Sequence, residues 1–275
     1  MLTTAEQRQS FQKHGWMIVD KLVSDERIDQ LRQALDDVLH RRTQRSPRSQ
    51  SDIARDDGTT VTQMIQAYRA HPVFEEHIHH PQIAGIASEL MNDPIVRLWH
   101  DQVIYKGPHT GGGIGWHQDY GYWQHVAPAD MVTCWMALDD CDEENGCMMM
   151  IDASNHWGLR DTDQAFGGSD LEAALNHLPP NLRSEAKMVP MKMKAGQASF
   201  HHCMTFHGSY ANRSERPRRC VITHFLNGHS RYVAAKDPYE RGKGHEVTVN
   251  DGEVVSGENF PLLLGQVPLR QTAAP

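Results

Sequence analysis

Long hydrophobic runs are missing from this chain. Of its 275 residues 39% are apolar, but no stretch approaches the roughly 18 consecutive apolar residues of a membrane span. The opening residues Met1 to Ser10 are polar and mixed in charge, without the apolar segment of a signal peptide. Neither a span nor a leader is therefore expected, and the expected location is the cytoplasm. Positive charge is also scarce: 27 Lys and Arg stand against 35 Asp and Glu, for a formal net charge of -8. Phosphate backbones need a basic surface, so nucleic acid is not an expected partner. Cysteines number five, with no C-x-x-C pair. An odd count without paired spacing points to reduced thiols rather than a disulfide framework. Cys134 and Cys220 lie in apolar, strand-like runs where cysteine behaves as a small core residue. No internal repeat or low-complexity segment is present. Gly111-Gly112-Gly113 lacks the strand-then-helix context of a nucleotide-binding loop and reads as a flexible entry into the segment that follows.

Histidine, in contrast, is abundant, with 18 residues. Two segments ninety residues apart stand out: Trp116-His117-Gln118-Asp119-Tyr120, and His207-Gly208-Ser209 followed by Arg218 eleven residues after His207. In extended backbone, side chains at i and i+2 share a face, so His117 and Asp119 can close on one ion. A second imidazole from His207 on a distant strand would complete two histidines and one carboxylate. That ligand set, with open positions opposite, is characteristic of non-heme Fe(II) oxygenases. An isolated H-x-D is weak evidence in a chain this rich in histidine. The downstream His-Gly-Ser, the Asn212-x-Ser214 and the basic cluster Arg216, Arg218 and Arg219 make the combination specific.

Carried on these residues, the chain resembles the phytanoyl-CoA dioxygenase family of Fe(II)/2-oxoglutarate-dependent oxygenases. The resemblance runs from Phe11-x-x-x-Gly15-Trp16 to about Asn227 and includes Trp135-x-Ala137-Leu138-Asp139 and Asn145-Gly146. It implies iron held by His117, Asp119 and His207, with Arg218 pairing the far carboxylate of 2-oxoglutarate. It also implies co-substrate contacts at Trp135, Ser209, Gln102 and Gln63. Two departures occur: Gly196-Gln197 where many members have Gly-Asp, and Asp152-Ala153-Ser154-Asn155-His156 where Pro-Gly-Ser-His is usual. The implied reaction consumes O2 and releases succinate and CO2 while hydroxylating a small molecule. Because Asp119 is present, hydroxylation is expected in place of halogenation, whose enzymes leave that ligand position empty.

The residue chemistry agrees independently. Neutral imidazoles and a carboxylate retain a divalent iron, and three protein ligands leave room for a bidentate 2-oxo acid and O2. The remaining carboxylate suits a permanently charged arginine fork. Strand parity places Arg218, Cys220, Ile222 and His224 on one face and Arg219, Val221, Thr223 and Phe225 on the other. Tyr120, Tyr122 and Trp123, directly after the proximal ligands, are candidates for a substrate-pocket wall, with plain core as the alternative. Met148-Met149-Met150 reads as core filling.

Helices come first and strands after. Thr4 caps a helix from Ala5 to about His14, Trp16 to Val19 is a strand, and Ser24 caps a helix with Ile28, Leu31, Leu35, Val38 and Leu39 on one face. Residues 43–58 are polar, contain Pro47 and lack periodicity, so a surface loop is expected, with a substrate lid as the sharper alternative. Another helix fits Pro81 to Met91. From Val96 short β-rich runs follow: Val96 to Lys106, Met131 to Leu138, Cys147 to Ile151, Met188 to Lys194, Ala198 to His202 and Arg218 to Leu226. A helix is inserted at Asp170 to Leu178, with Ser169 as its N-cap. The expected architecture is mostly β with flanking helices around a double-stranded β-helix, cupin-like jelly-roll core. One domain spans 1–275, with a helical part to about 95, the core over about 96–230 and an extension over 231–275. Two rival functions remain open: a zinc-dependent hydrolase using the same ligands, and a non-catalytic jelly-roll binding protein.

Overall fold

The computed structural model describes residues 1–54, 58–160, 170–237 and 246–266. Helix α1 (Ala5–His14) begins with the expected Thr4 cap, reciprocated by Gln7 as a capping box. Strand β1 (Trp16–Val19) leads to α2 (Asp25–Leu39), where the Ser24 hydroxyl accepts from Arg27 N–H. The buried stripe Ile28, Leu31, Ala34, Leu35 and Val38 recurs at helical spacing and packs α2 onto the main sheet. A hairpin of β2 (Ser49–Ala54) and β3 (Thr60–Ile65) precedes α3 (Pro72–Ile78) and α4 (Pro81–Met91). The longest strand, β4 (Val96–Lys106), is followed by β5 (Ile114–His117), β6 (Val126–Ala127), β7 (Val132–Ala137) and β8 (Met148–Ile151). Two short helices, α5 (Leu171–Ala174) and α6 (Pro180–Glu185), lead to β9 (Met188–Pro190), β10 (Ala198–His202), β11 (His207–Ser209) and β12 (Arg218–Asn227). The short β13 (Arg231–Tyr232) and β14 (Leu262–Leu264) follow.

These strands form the expected double-stranded β-helix. The major antiparallel sheet runs β1-β10-β7-β12-β4-β3-β2, with β14 also on β4, and faces a minor sheet β5-β11-β8-β9. The alternation read from β12 holds. Cys220 and Ile222 face inward to a core shared with Ile104, Trp135 and Met148 to Met150, whereas Val221 and Phe225 face outward under α2 and α4. The helices thus close one side of the major sheet while its other side builds the site. Among the described residues no helix is long and apolar enough to cross a membrane.

Three expectations need correction. Residues 43–58 are not all loop, since Ser49–Ala54 is an edge strand paired along its length with β3. Its polar, largely exposed side chains carry no alternating signature, so backbone pairing decides its conformation where propensity is silent. Residues 55–57 of the suggested lid lie outside the described residues. The part before residue 95 is accordingly not only helical, because β1, β2 and β3 all join the major sheet. The inserted helix is capped by Asp170, whose carboxylate accepts from Ala173 N–H, and passes into a 3-10 turn at Leu175–His177; Ser169 lies outside the described residues.

Candidate active site

His117 ends β5, and the first residue of β11, His207, is its direct cross-strand partner; the ring centroids lie 4.1 Å apart. β11 can approach this closely because residue 208 is glycine: a Cβ there would stand 2.9 Å from the Ile114 carbonyl oxygen and 3.1 Å from Leu171 Cδ2. Beyond His117, Gln118 remains extended and Asp119 opens a 3-10 turn, so the i, i+2 relation survives the end of the strand. The Gln118 side chain points the other way, donating to the carbonyls of Gly158 and Met204 and accepting from Arg160 N–H.

One ligand atom from each of His117, Asp119 and His207 falls within 4.8 Å of the other two. His117 Nδ1 donates to the Gly115 carbonyl at 2.9 Å and His207 Nδ1 to the Thr205 carbonyl at 3.0 Å. A carbonyl only accepts, so each Nδ1 carries its ring's proton and each Nε2 keeps a lone pair for the shared centre. Burial lowers both imidazoles to a pKa of about 4, against the opposing attraction of Asp119, so both are neutral near pH 7. Burial resists the charge of Asp119, but His207, His201 and His224 around it hold its carboxyl well below the usual carboxylate range. Two neutral imidazoles and an ionised carboxylate in this arrangement fit a divalent metal of the first transition row.

The triad opens on a cavity of about 520 Å³, within the usual range of small-molecule sites. Arg218 reaches this cavity from β12, 2% exposed, with its guanidinium carbon 5.5 Å from the centre of the Trp135 ring. Among the described residues its Nε has no hydrogen-bond partner, and Nη1 meets only the Cys220 sulfur at 3.3 Å. A buried guanidinium with donors left over calls for an anion. Arg219 points outward and grips Asp139 through both Nε and Nη2, at 2.9 and 2.8 Å, while Arg216 pairs with Asp142 on the surface. Ser209 and Trp135 line the cavity, as do Gln102 and Gln63, the latter donating to Gln102 Oε1 at 2.8 Å.

Of the three aromatics after the proximal ligands, half-exposed Tyr122 and buried Trp123 line the cavity. Tyr120 does not: it is buried in a separate core, where its hydroxyl donates to the Val126 carbonyl. Its placement on the substrate wall is thereby corrected, since satisfying a buried phenol turned the ring toward that carbonyl.

The match to "Phytanoyl-CoA dioxygenase (PhyH)" covers residues 11–220. The chain belongs to the phytanoyl-CoA dioxygenase family. The class expected from the sequence, a 2-oxoglutarate-dependent dioxygenase, is the class of this family. A probable phytanoyl-CoA dioxygenase of Caenorhabditis elegans is 24% identical over 90% of this chain and 83% of its own length. The L-proline trans-4-hydroxylase of Streptomyces griseoviridis is also 24% identical, over 76% of this chain and 81% of its own. Among solved structures, the non-heme alpha ketoglutarate dependent carbocyclase SnoK from nogalamycin biosynthesis superposes with a TM-score of 0.75 at 23% identity, covering 94% and 96% of the two chains. At that identity the likeness establishes the fold.

Several residues of the site were not singled out by sequence. His100, Thr133, His201 and His224 form a buried polar group beside Asp119, and Lys106, fully buried, donates to Ser209 Oγ at 2.7 Å and to the Tyr210 carbonyl. For His224 the signal was the strand parity that placed it on the Arg218 face. Lys106 pairs with Arg218 across β4 and β12, a register that the separate strands do not disclose.

Proposed function

We propose that this protein is an Fe(II)- and 2-oxoglutarate-dependent dioxygenase that hydroxylates a small-molecule substrate and releases succinate and CO2, with residues 1–275 as its single domain and the cytoplasm as its location. The observation that carries the reading is the convergence of His117, Asp119 and His207 on one point of a cavity that also presents the buried, unsaturated Arg218. A zinc hydrolase would need the triad but would leave that guanidinium without a task.

His117 Nε2, His207 Nε2 and one Asp119 oxygen would hold the iron on one face. When bound, iron with 2-oxoglutarate supplies O2 activation coupled to decarboxylation of the oxo acid, and one oxygen atom enters a substrate C–H bond. Arg218 anchors the far carboxylate of the co-substrate by two parallel hydrogen bonds, and Ser209 adds a hydroxyl to the same end. Trp135 flanks the co-substrate chain from beside Arg218. Ile53, Val61 and Ile65 of the hairpin, with Tyr122 and Trp123, wall the remaining volume, which is left to the substrate.

The test is oxygen uptake and succinate formation by the iron-loaded protein, with 2-oxoglutarate and a panel of acyl-CoAs, amino acids, organophosphonates and other small metabolites. Iron-dependent succinate release, stimulated by one compound class, is expected. A protein that binds Fe(II) and 2-oxoglutarate in no combination would overturn the reading.

A further inference from the structure

Asp119 sits at the end of a chain of hydrogen bonds whose direction can be worked out link by link. Thr133 Oγ lies 2.7 Å from Asp119 Oδ2. A carboxylate only accepts, so the threonine hydroxyl donates. Thr133 Oγ also lies 2.8 Å from His224 Nδ1; with its own proton already committed, the oxygen accepts there, and His224 carries its proton on Nδ1. Direct contact between the two ends is ruled out by distance, since His224 Nδ1 is 3.7 Å from Asp119 Oδ2. The opposite nitrogen, His224 Nε2, then accepts from Gln102 Nε2 at 3.2 Å. The second amide proton of Gln102 goes to His100 Nε2 at 2.8 Å, which leaves Gln102 Oε1 to accept from Gln63 Nε2. Turning the Gln102 amide over would bring two NH2 donors together at Gln63 and demand protons on His100 Nε2 and His224 Nε2; in a neutral His224 the latter would make Nδ1 an acceptor and draw the Thr133 proton away from the carboxylate. One ionised group therefore fixes the Gln102 amide orientation three residues away along the network.

We infer that Gln63, Gln102, His224 and Thr133 form a one-directional positioning relay, anchored on the β2–β3 hairpin, that holds Asp119 Oδ2 so that Oδ1 alone is presented to the ion-binding centre. The geometry at the carboxylate agrees: Oδ1 faces His207 Nε2 at 3.5 Å, while Oδ2 is taken by Thr133 and lies 3.4 Å from His201 Nε2. All four relay residues line the cavity or stand on it, so a molecule bound there that competes for the Gln102 amide would act on the metal carboxylate at a distance. The inference rests on the metal reading of the triad. None of the four residues is given a step in the chemistry; they act through Asp119.

Two measurements on the full chain decide it. In the metal-free protein, 15N-edited NMR of the histidines should show His224 as the neutral Nδ1–H form, and Gln102→Met should leave that ring a mixture of both neutral forms. In titrations with Zn(II), which is diamagnetic and inert to oxygen, Thr133→Val should weaken binding about 10–100-fold, the range seen when groups supporting metal ligands are removed. Thr133→Ser should restore it, because valine preserves the buried shape and serine returns the donor. An Nε2–H His224 in the native protein, or Zn(II) binding by Thr133→Val equal to native, overturns the relay. Failure of the native protein to bind Zn(II) while His224 shows the Nδ1–H form would sink the metal reading and leave the hydrogen-bond polarity standing.

Discussion

His117 and His207 stand directly opposite each other on β5 and β11, although ninety residues separate them in the chain. Cross-strand pairing, rather than a local motif, thus assembles two thirds of the triad. The third member comes from the turn that ends β5. Loss of His117 or Asp119 to Ala should reduce bound Fe(II) from about one per chain to near none and abolish iron-dependent succinate formation, with folding checked by circular dichroism. A double variant that kept native iron content would refute the triad.

Arg218 and its neighbours give a graded test. Arg218→Lys replaces a planar fork by a point donor inside a buried site and should raise the 2-oxoglutarate concentration needed for half-maximal turnover at least tenfold. Breaking a desolvated charge pair costs about 2–5 kcal/mol, which supports that lower bound. Arg216→Lys, half-buried at the surface and paired with Asp142, should change little. Arg219→Lys loses the paired grip on Asp139 and should lower thermal stability while the co-substrate requirement stays near native. Equal co-substrate effects at all three positions would undo the choice of Arg218.

Lys106 offers a separate handle on the same end of the cavity. Its ammonium donates to Ser209 Oγ, so the serine proton must be given elsewhere, and the cavity is where Ser209 faces. Lys106→Met should therefore weaken 2-oxoglutarate binding by roughly the 1.5–3 kcal/mol of a charge-assisted hydrogen bond or less, and Ser209→Ala should show most of the same loss. In the double variant the two effects should fall short of additive, because they share one contact. Additive losses would mean that Lys106 acts by another route.

Strand parity made the β12 face legible: Arg218, Cys220, Ile222 and His224 share it, as the alternation required. The capped helices were legible too, because Thr4 and Ser24 precede apolar residues at helical spacing. The β2–β3 hairpin was not, since β2 is held by backbone pairing while its side chains remain polar and largely exposed. Nor was the support of Asp119. Thr133, His201 and His224 come from three strands that are neighbours only in the folded sheet, and their common register is a tertiary fact. Tyr120 misled for the opposite reason: it lies next to the ligands in sequence, but its phenol found a carbonyl inside a different core.

Asp101 gives the last prediction, which concerns pH. It is fully buried on β4; Oδ2 accepts from Tyr68 N–H at 3.0 Å and Oδ1 has no hydrogen-bond partner among the described residues. Burial raises its pKa to about 7, although the Tyr68 N–H bond and Arg69 pull the other way. The unfolded chain ionises near the ordinary value of about 3.9. Between these two values the folded state holds a proton that the unfolded state has released, so stability falls as pH rises from about 4 to about 7 and then levels. Asp101→Asn removes that loss while keeping an acceptor for Tyr68 N–H. Denaturant unfolding of the metal-free protein should find the variant more stable than native at pH 8, by on the order of 1–4 kcal/mol, with the gap shrinking toward pH 5. A gap of constant size across that range would show that Asp101 is already ionised in the folded protein, and that its unpartnered oxygen is satisfied by water.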